Sequence, residues 1–261
     1  MKKTLLATPP NDIPPEFMRL IGTADIYDSS CSPEARVYFI DRDGGYYLKR
    51  SAAGTLKNEA ALNAYFHSKA LGPEVLGYLT DGYDWLLTRS VCGEDCTHSD
   101  YLSDPKRLCD LLAEKLRELH ELDVCDCPVQ NRMEYYFSLA EENFRAGRYD
   151  TSYFTDIYGE TNIDDIYAVL NEGKELLNSR VLLHGDFCLP NILLENWRFS
   201  GFIDLGNGGV GDRHVDIYWG AWTLNFNLKT DKYRERFFDA YGRDKAEEEK
   251  LRLIAAAEIF G

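Results

Sequence analysis

The sequence predicts an α+β protein with two lobes, a small antiparallel β-sheet with one helix followed by a larger, mainly helical part. Short runs of β-branched and aromatic residues, separated by turn-forming glycine, proline and aspartate, occupy the first ninety residues. Helical patterns follow to the end of the chain, with one short β segment among them. A chain of 261 residues, 44% of them hydrophobic, can bury a sizeable core. We therefore expect lobes over residues 1–92 and 93–261, with a hinge near residues 90–93.

The first lobe is predicted to hold a sheet and a single helix. Strands are expected over residues 25–27, 36–40, 46–49 and, as a hairpin, 75–89. The turns are marked by Asp43-Gly44-Gly45 and by Asp81-Gly82, because glycine adopts the backbone angles of tight hairpins. Leu62, Tyr65 and Phe66 fall on one face of a helix over residues 56–70.

The second lobe is predicted to be mainly helical. Its first helix begins at Asp104-Pro105, a capping residue followed by proline at the first helical position, and ends at His120. Further helices are expected at about 132–145, 162–177, 212–226 and 245–258, and short strands at 180–183, 192–194 and 199–205. Trp219, Trp222 and Phe226 share one of these helices, and we expect them to pack in the core.

The composition indicates the kind of partner. With 29 Lys and Arg against 44 Asp and Glu, the formal net charge is −15, which disfavours nucleic acid and attracts positively charged ligands. The seven cysteines are irregularly spaced, and no apolar run is long enough for a membrane span or a signal-peptide core. We expect a cytoplasmic protein with reduced thiols that binds neither nucleic acid nor membrane. The sequence leaves the oligomeric state open.

The residues that carry chemistry are concentrated in one stretch of the second lobe. His184, Asp186 and Asn191 follow the pattern H-x-D-x4-N, and a strand-borne Asp204 comes next, with Gly206 two residues later. This is the spacing of a kinase catalytic loop and its metal-binding aspartate. Asp186 would accept the proton of an acceptor hydroxyl, and His184 would orient the loop. Asn191 and Asp204 would offer the hard oxygen ligands that Mg²⁺ prefers, beside the phosphates of ATP.

A nucleotide also needs a cation on its phosphates, and the first lobe supplies a candidate. Lys49 ends a predicted strand, and Glu59 on the following helix would hold Lys49 extended. Tyr47 lies two residues before Lys49, on the same face of the strand, where it would either stack on adenine or pack in the core. Main-chain groups from Arg89 to Val91 would meet the adenine edge.

A glycine-rich run offers a competing interpretation. Residues Gly206 to Gly211 match G-x-G-x-x-G after a strand and before a helix, and Asp231 lies about twenty residues further on. That fingerprint opens a βαβ unit, whereas only helical patterns follow here. A dinucleotide site is therefore not expected, and no P-loop motif is present either.

The run HGDFCLPNILLEN, followed by RFSGFIDLG, resembles the aminoglycoside 3'-phosphotransferases, the kanamycin and neomycin kinases, which have a bilobal protein-kinase-like fold. The resemblance is dense over residues 181–216 and looser but collinear over nearly the whole chain. It implies the roles given above for Asp186, Asn191, Asp204, Lys49 and Glu59, and it places Ser32 in the loop over the nucleotide. It also implies that the acceptor is an aminoglycoside antibiotic phosphorylated at a hydroxyl, with 3'-OH expected, and that the activity confers resistance.

The resemblance places the acceptor against acidic residues of the helical lobe. Here those are Glu258 and, from the insertion at 150–160, Asp156 and Glu160. Carboxylates suit a polycationic acceptor because they bind ammonium groups. Asn207, a further candidate for acceptor binding, stands where relatives usually carry arginine. Trp222 and Phe226 stand where some relatives carry charged residues, so these departures bear on which sugar is phosphorylated.

Two other functions stay open at this point. A kinase of another small hydroxyl compound, such as an amino alcohol, a sugar or a macrolide, would share every catalytic residue. A nucleotide-binding regulator without turnover is disfavoured because Asp186, Asn191, Asp204 and Lys49 are all intact. The sequence does not decide which aminoglycoside or which hydroxyl is used, nor whether ATP or GTP is the donor.

Overall fold

The structure of the chain is a computed structural model that describes residues 3–150 and 162–261. It divides into two compact units. Unit 1 comprises the residues up to Cys96 together with Pro190–Gly206, and unit 2 comprises Thr97–Leu189 together with Asn207–Gly261. Residues 190–206 were predicted to lie in the helical lobe, whereas here they cluster with the sheet unit. The domain boundary after residue 92 stays a prediction.

The elements below are numbered in chain order over the described residues. The strands are β1 (Thr4–Leu5), β2 (Asp25–Asp28), β3 (Ala35–Asp41), β4 (Tyr46–Ala52), β5 (Val75–Asp81), β6 (Tyr83–Arg89), β7 (Glu94–Asp95), β8 (Val181–Leu183), β9 (Ile192–Glu195), β10 (Arg198–Phe202) and β11 (Gly209–Gly211). The helices are α1 (Pro15–Ile21), α2 (Lys57–Ser68), α3 (Ser99–Leu102), α4 (Pro105–His120), α5 (Arg132–Arg145), α6 (Ile163–Gly173), α7 (His214–Leu228), α8 (Arg234–Tyr241) and α9 (Glu248–Glu258). Short 3₁₀ turns cover Lys174–Leu176, Leu189–Asn191, Leu205–Asn207 and Arg243–Lys245.

Unit 1 is built on a six-stranded antiparallel sheet with the order β1-β2-β3-β4-β6-β5. β4 is hydrogen-bonded on both sides, and its register sets Lys49 opposite Val37 of β3 and Leu86 of β6. Leu48 belongs to the apolar cluster that contains Phe17 of α1. Because successive residues of a strand face opposite sides, Lys49 projects from the other face, where Leu86 forms a cluster with Ala60 of α2.

The helix α1 was not predicted from the sequence, which indicated one helix in this part of the chain. It is only seven residues long and has proline at its first position, where the missing N–H costs no intrahelical hydrogen bond. Phe17 and Ile21 are its buried residues. A seven-residue helix with two buried side chains gives too short a periodic signal to be recognised in the sequence.

A second, three-stranded sheet brings residues 190–206 into unit 1. Its order is β10-β9-β7, so the β9–β10 hairpin pairs with the strand that follows β6 along the chain. Phe202 of β10 lies edge-on to Phe66 of α2, with ring centroids 6.2 Å apart. Gly93 has φ +95°, and a Cβ there would lie 2.2 Å from the carbonyl oxygen of Leu194. Only glycine allows the chain to pass β9 at that distance.

Unit 2 is mainly helical and is centred on α4. Its leucines at 108, 112, 116 and 119 are all buried, as their helical spacing predicted. The predicted helices agree with α4 to α7 and α9 within about three residues, apart from the carboxyl end of α6, where the last turn is a 3₁₀ turn. The helices α3 and α8 were not predicted. No helix in residues 3–150 and 162–261 has the length and apolar character that crossing a bilayer requires.

The last three residues of the glycine-rich run that resembled a dinucleotide fingerprint form a strand in unit 2. β11 pairs antiparallel with β8, so that Gly209 lies opposite Leu183 and Gly211 opposite Val181. A dinucleotide fingerprint requires the turn between a parallel strand and its helix. Because β11 is antiparallel to β8, the run lacks the strand arrangement of a dinucleotide site.

Candidate active site

Unit 1 holds a three-membered charge cluster on β4, α2 and the segment after β10. The Lys49 ammonium lies 3.0 and 2.9 Å from the two carboxylate oxygens of Glu59, and 2.9 Å from Oδ1 of Asp204. A Cβ on Gly206 would lie 3.2 Å from Glu59 Oε2, so glycine allows this segment to pass close to the cluster. The structure thus joins Lys49, predicted to contact phosphate, with Glu59, predicted to hold Lys49, and with Asp204, predicted to bind Mg²⁺.

Burial and charge oppose each other at this cluster. Burial by itself would lower the pKa of Lys49, but the carboxylates of Asp204 and Glu59 outweigh it and hold that pKa above its ordinary value. Burial raises the pKa of Glu59, and the Lys49 charge offsets only part of that rise. Lys49 therefore stays charged, as a cation that contacts phosphate must.

Asp204 and Asn191 lie at the same end of the β9–β10 hairpin. The main-chain carbonyl of Asn191 accepts the N–H of Ile203 at 3.0 Å, next to Asp204 in the chain. Asp204 has φ +58°, a left-handed conformation that aspartate tolerates better than most residues, and 53% of its side chain is exposed. Its second carboxylate oxygen has no hydrogen bond within the part of the chain that the structure describes.

These two residues fit the donor preference of Mg²⁺. The ion takes oxygen ligands, keeps several waters, and is usually bound by one or two carboxylates together with substrate phosphates. One carboxylate and one amide oxygen meet that pattern. Asn191 and Asp204 are therefore the residues that would hold the ion.

Unit 2 holds Asp186, in a loop that begins directly after β8. Gly185 has φ +84°, and the N–H of Asp186 donates to Nδ1 of His184 at 3.2 Å. The carbonyl of Asp186 accepts the N–H of Cys188 at 2.8 Å. These local bonds form a tight turn in which Asp186 is only partly buried.

The loop is attached to the rest of unit 2 by Asp216, in the first turn of α7. Its carboxylate accepts the main-chain N–H groups of His184 and Gly185, each at 2.8 Å, and it is completely buried. His120 at the end of α4 contacts the same carboxylate through Nε2 at 3.2 Å. Asp216 thus fixes the backbone next to Asp186 through hydrogen bonds from α7.

The protonation of His120 follows from its neighbours. Burial lowers its pKa, which favours the neutral ring. Since Asp216 only accepts, Nε2 of His120 carries the hydrogen, and Nδ1 accepts from the hydroxyl of Tyr241 at 2.8 Å. These supporting residues were not predicted from the sequence. The available signal was an aspartate on the buried face of an apolar helix, which requires a polar partner.

Glu258 is held by two donors in unit 2. Its Oε1 accepts from the hydroxyl of Tyr136 at 2.6 Å and from the indole N–H of Trp219 at 3.0 Å. Burial raises the pKa of Glu258 to about 7, although both hydrogen bonds lower it, and the negative charge of Asp186 raises it further. A carboxyl with this pKa can hold a cationic group above neutral pH.

The aromatic residues of α7 differ from expectation. The prediction that Trp219, Trp222 and Phe226 pack in the core was wrong for Phe226, which is 54% exposed, and the two tryptophans are only partly buried. The ring of Phe226 stacks on Trp222 with centroids 4.9 Å apart and planes 13° apart, and the Lys229 ammonium lies 4.2 Å from its centroid. Trp222 in turn lies edge-on to Trp219 at 5.2 Å. Helical spacing predicted a buried position, although Phe226 lies on a solvent-facing side of α7 whose other side carries the buried Leu224.

The remaining nucleotide candidates lie in unit 1. The ring of Tyr47 packs at 5.2 Å against that of Phe39, and Ser32 is exposed in the bend before β3. The Arg89 guanidinium pairs with Glu74 at 2.8 Å, and its main-chain N–H donates to the carbonyl of the same residue. Val91 packs against Gly201 of β10. The roles of these residues toward a nucleotide stay predictions.

Two acceptor candidates, Asp156 and Glu160, lie outside the described residues. Asn207 is described and exposed, but its side-chain oxygen accepts from Nη2 of Arg132 at 3.1 Å. Arg132 opens α5 and was not among the predicted site residues. Nothing in its local sequence indicates a partner 75 residues away.

Comparison with known proteins assigns the class. Residues 32–254 match the model of the phosphotransferase enzyme family, APH, so the chain belongs to that family and is an enzyme of the phosphotransferase type. It is 49% identical over 249 residues to a probable aminoglycoside 3'-phosphotransferase of Lactococcus lactis subsp. lactis (strain IL1403), with 95% of each chain covered. It is 33% identical over 255 residues to the aminoglycoside 3'-phosphotransferase of Niallia circulans, covering 95% of this chain and 97% of that one.

Solved structures give the same fold. The crystal structure of an aminoglycoside 3'-phosphotransferase of type VIII superposes with a TM-score of 0.75 at 24% identity, covering 89% of this chain and 92% of that one. The aminoglycoside phosphotransferase APH(3'')-Id from Streptomyces rimosus, solved in complex with ADP and streptomycin, superposes with a TM-score of 0.70 at 25% identity, covering 87% and 91%. The predicted α+β, kinase-like fold and the family resemblance are confirmed.

Proposed function

We propose that this enzyme transfers the γ-phosphate of ATP to a hydroxyl of an aminoglycoside antibiotic, and that this hydroxyl is the 3'-OH. The observation that carries the proposal is the Lys49–Glu59–Asp204 cluster, which has the charge arrangement that a bound nucleoside triphosphate requires. The 49% identity to a probable aminoglycoside 3'-phosphotransferase, over 95% of both chains, supports the acceptor class.

The nucleotide is proposed to bind through unit 1. Lys49 contacts its phosphates, Tyr47 stacks on the adenine, and Ser32 lies in the loop over the phosphates. Since the N–H of Arg89 is already donated to Glu74, the main-chain N–H of Val91 is the donor assigned to the base edge. A main-chain donor at the base edge suits ATP, and GTP is the alternative phosphate donor to be compared with it.

Asn191 and Asp204 are proposed to hold Mg²⁺, which neutralises phosphate charge when it is bound. Asp204 has one oxygen on Lys49 and a second available to the ion. Asp186 accepts the proton of the acceptor hydroxyl as that oxygen attacks phosphorus. Asp186 and Asn191 belong to one loop, and Asp216 fixes the start of that loop through two N–H groups.

The acceptor is proposed to bind on unit 2. Glu258 offers a carboxylate for an ammonium group, and a chain with a formal charge of −15 attracts polycations. Asp156 and Glu160 are proposed as further partners of the ammonium groups. All seven cysteines are free thiols, which suits a reducing compartment, and we place the enzyme in the cytoplasm, where it confers resistance.

A second acceptor class is favoured by one observation. The exposed ring of Phe226 stacks on the partly buried Trp222, and Trp222 contacts Trp219, which donates to Glu258. An apolar surface thus lies near this carboxyl. An acceptor with both an ammonium group and an apolar face, such as an amino sugar carried on a macrolide, would match that combination.

The test is a coupled assay of ADP release with Mg²⁺–ATP, run over kanamycin, neomycin, related aminoglycosides and an amino-sugar macrolide. We expect turnover with at least one 3'-hydroxyl aminoglycoside, and phosphorus NMR of the product to assign the phosphate to the 3'-oxygen. The variant D186A should retain ADP affinity and lose about 100-fold or more of kcat, in line with removal of a general base. No turnover with any aminoglycoside would refute the acceptor, and full turnover by D186A would refute the base.

A further inference from the structure

The backbone on the amino side of Asp186 is in close contact with a residue outside its own loop. A Cβ on Gly185 would lie 1.8 Å from the carbonyl oxygen of Asn207 and 2.2 Å from its carbonyl carbon. This contact belongs to unit 2, as do both residues. Together with the positive φ of Gly185, it means that a shift of the Asn207 carbonyl would displace the peptide that carries Asp186.

The same carbonyl is held by a guanidinium. Nε of Arg132 donates to the carbonyl oxygen of Asn207 at 2.7 Å, and Nη2 donates to its side-chain oxygen at 3.1 Å. Arg132 is the first residue of α5, and its guanidinium lies 5.0 Å from the centroid of the Tyr135 ring. Two parallel bonds from a planar, rigid fork fix the orientation of Asn207, which a single flexible ammonium would not do.

Gly185 is therefore supported on two sides. Asp216 accepts its N–H at 2.8 Å, and Asn207, oriented by Arg132, packs against its Cα. The first support is a buried anion in α7, and the second is a cation at the start of α5. Asn207 itself is exposed, so Arg132 supplies the restraint that burial does not.

We propose that Arg132 is a positioning residue for the transfer reaction, setting the place of Asp186 through Asn207 and Gly185. The inference rests on the proposed function, in which Asp186 accepts the hydroxyl proton. It also changes the role predicted for Asn207. Its side-chain oxygen serves the Arg132 contact, so Asn207 acts through the backbone of the loop instead of through the acceptor.

The first test compares R132K with R236K as a matched control. Arg236 makes a two-point contact with Asp110 on the surface of unit 2 and has no contact with the loop in the described residues. R132K should lower kcat about 10- to 100-fold, as expected when a reacting group is displaced by up to about 1 Å. It should leave the KM for ATP and the melting temperature near wild type, and R236K should leave kcat unchanged.

The second test uses Asn207. The variant N207D keeps an oxygen for Nη2 and should keep most of the activity, whereas N207A should lower kcat in the same direction as R132K. Because both residues act on one carbonyl, the double variant R132K/N207A should lose less than the product of the two single losses. Multiplicative losses, or a kcat for R132K within about twofold of wild type, would overturn the proposal.

The third measurement needs no acceptor, so it separates this proposal from the proposed function. Hydrogen exchange of the peptide that spans residues 184–191 should be faster in R132K than in wild type, because loop order is lost. If wild type phosphorylates no aminoglycoside but R132K still accelerates exchange, the acceptor is wrong and the positioning role stands. Equal exchange in both proteins would refute the positioning role whatever the acceptor.

Discussion

Replacing Asp216 should show how strongly catalysis depends on the support beneath Asp186. The carboxylate is fully buried and accepts two main-chain N–H groups, from His184 and Gly185, each at 2.8 Å. In D216A these two groups and Nε2 of His120 lose their shared partner, and two of the three donors, the His184 N–H and the His120 ring, are buried. An unsatisfied buried donor costs about 1–3 kcal/mol, so the free energy of unfolding should fall by roughly 2–6 kcal/mol.

The loss of this support should also slow the phosphate transfer. With Gly185 released from one side, we expect Asp186 to move by an amount that costs about 100-fold in kcat. A chain of this size loses about 2–4 °C of melting temperature per kcal/mol, so the melting temperature should fall by at least about 4 °C. Should D216A fail to fold, D216N retains the volume and one accepting oxygen, and it should show the same effects at smaller size.

Asp212 provides the matched control. It is equally buried and accepts from Ser179 and from His214, and no contact links it to the loop within the described residues. D212A should lose comparable stability while its folded fraction keeps the kcat of wild type. Circular dichroism melts and ADP release, measured below both melting temperatures, supply the comparison. Equal kcat in D216A and wild type, or equal kcat losses in D216A and D212A, would refute the assigned role of Asp216.

Two further predictions concern charge. Because the pKa of Glu258 is raised to about 7, folding keeps its proton while the unfolded chain releases it near pH 4.5. Stability should therefore fall by roughly 3 kcal/mol as pH rises from about 4.5 to about 7, and E258Q should flatten this part of the melting profile. The carboxyl of Glu258 must be ionised to bind an ammonium group. The acceptor KM should therefore fall as pH rises through about 7, while the KM for ATP does not. An acceptor KM that is independent of pH would count against Glu258 as the ammonium-binding residue. Lys49→Ala leaves the Glu59 and Asp204 carboxylates without their shared cation, so we expect the KM for ATP to rise about tenfold or more and ADP to lose its stabilisation in thermal melts. Lys115→Ala is the control, because it removes a partly buried cation of α4 that pairs with Glu118, and it should change neither value.

The features that could be predicted from the sequence are those that depend on the spacing of residues close together in the chain. The leucines of α4 recur at helical intervals and are all buried, and the H-x-D-x4-N pattern lies in the loop between β8 and β9. Lys49 and Glu59 are ten residues apart, and alternation along β4 puts Lys49 on the face that α2 covers. Such features follow from the periods of strand and helix, which a single sequence displays directly.

The unpredicted part depends on contacts between distant segments. Arg132 meets Asn207 across 75 residues, and His120 meets Asp216 across 96. Neither pair has a spacing that a local pattern can reveal, because the topology decides which side chains meet. Phe226 shows the opposite failure, since its helical position was predicted to be buried although it is 54% exposed, while the nearby Leu224 of α7 is buried. Hydrophobic spacing indicates a face but not what lies against it.

The hydrogen bond from Trp219 to Glu258 couples the proposed acceptor site to intrinsic tryptophan fluorescence. The chain has four tryptophans, of which Trp85 and Trp197 belong to unit 1. Trp219 donates directly to the carboxyl proposed to bind an ammonium group, and Trp222 touches its ring. An indole is sensitive to the charge of its partner, so intrinsic emission would follow occupancy of this carboxyl in the unmodified protein. Titration of unlabelled enzyme with candidate antibiotics therefore needs no reporter dye.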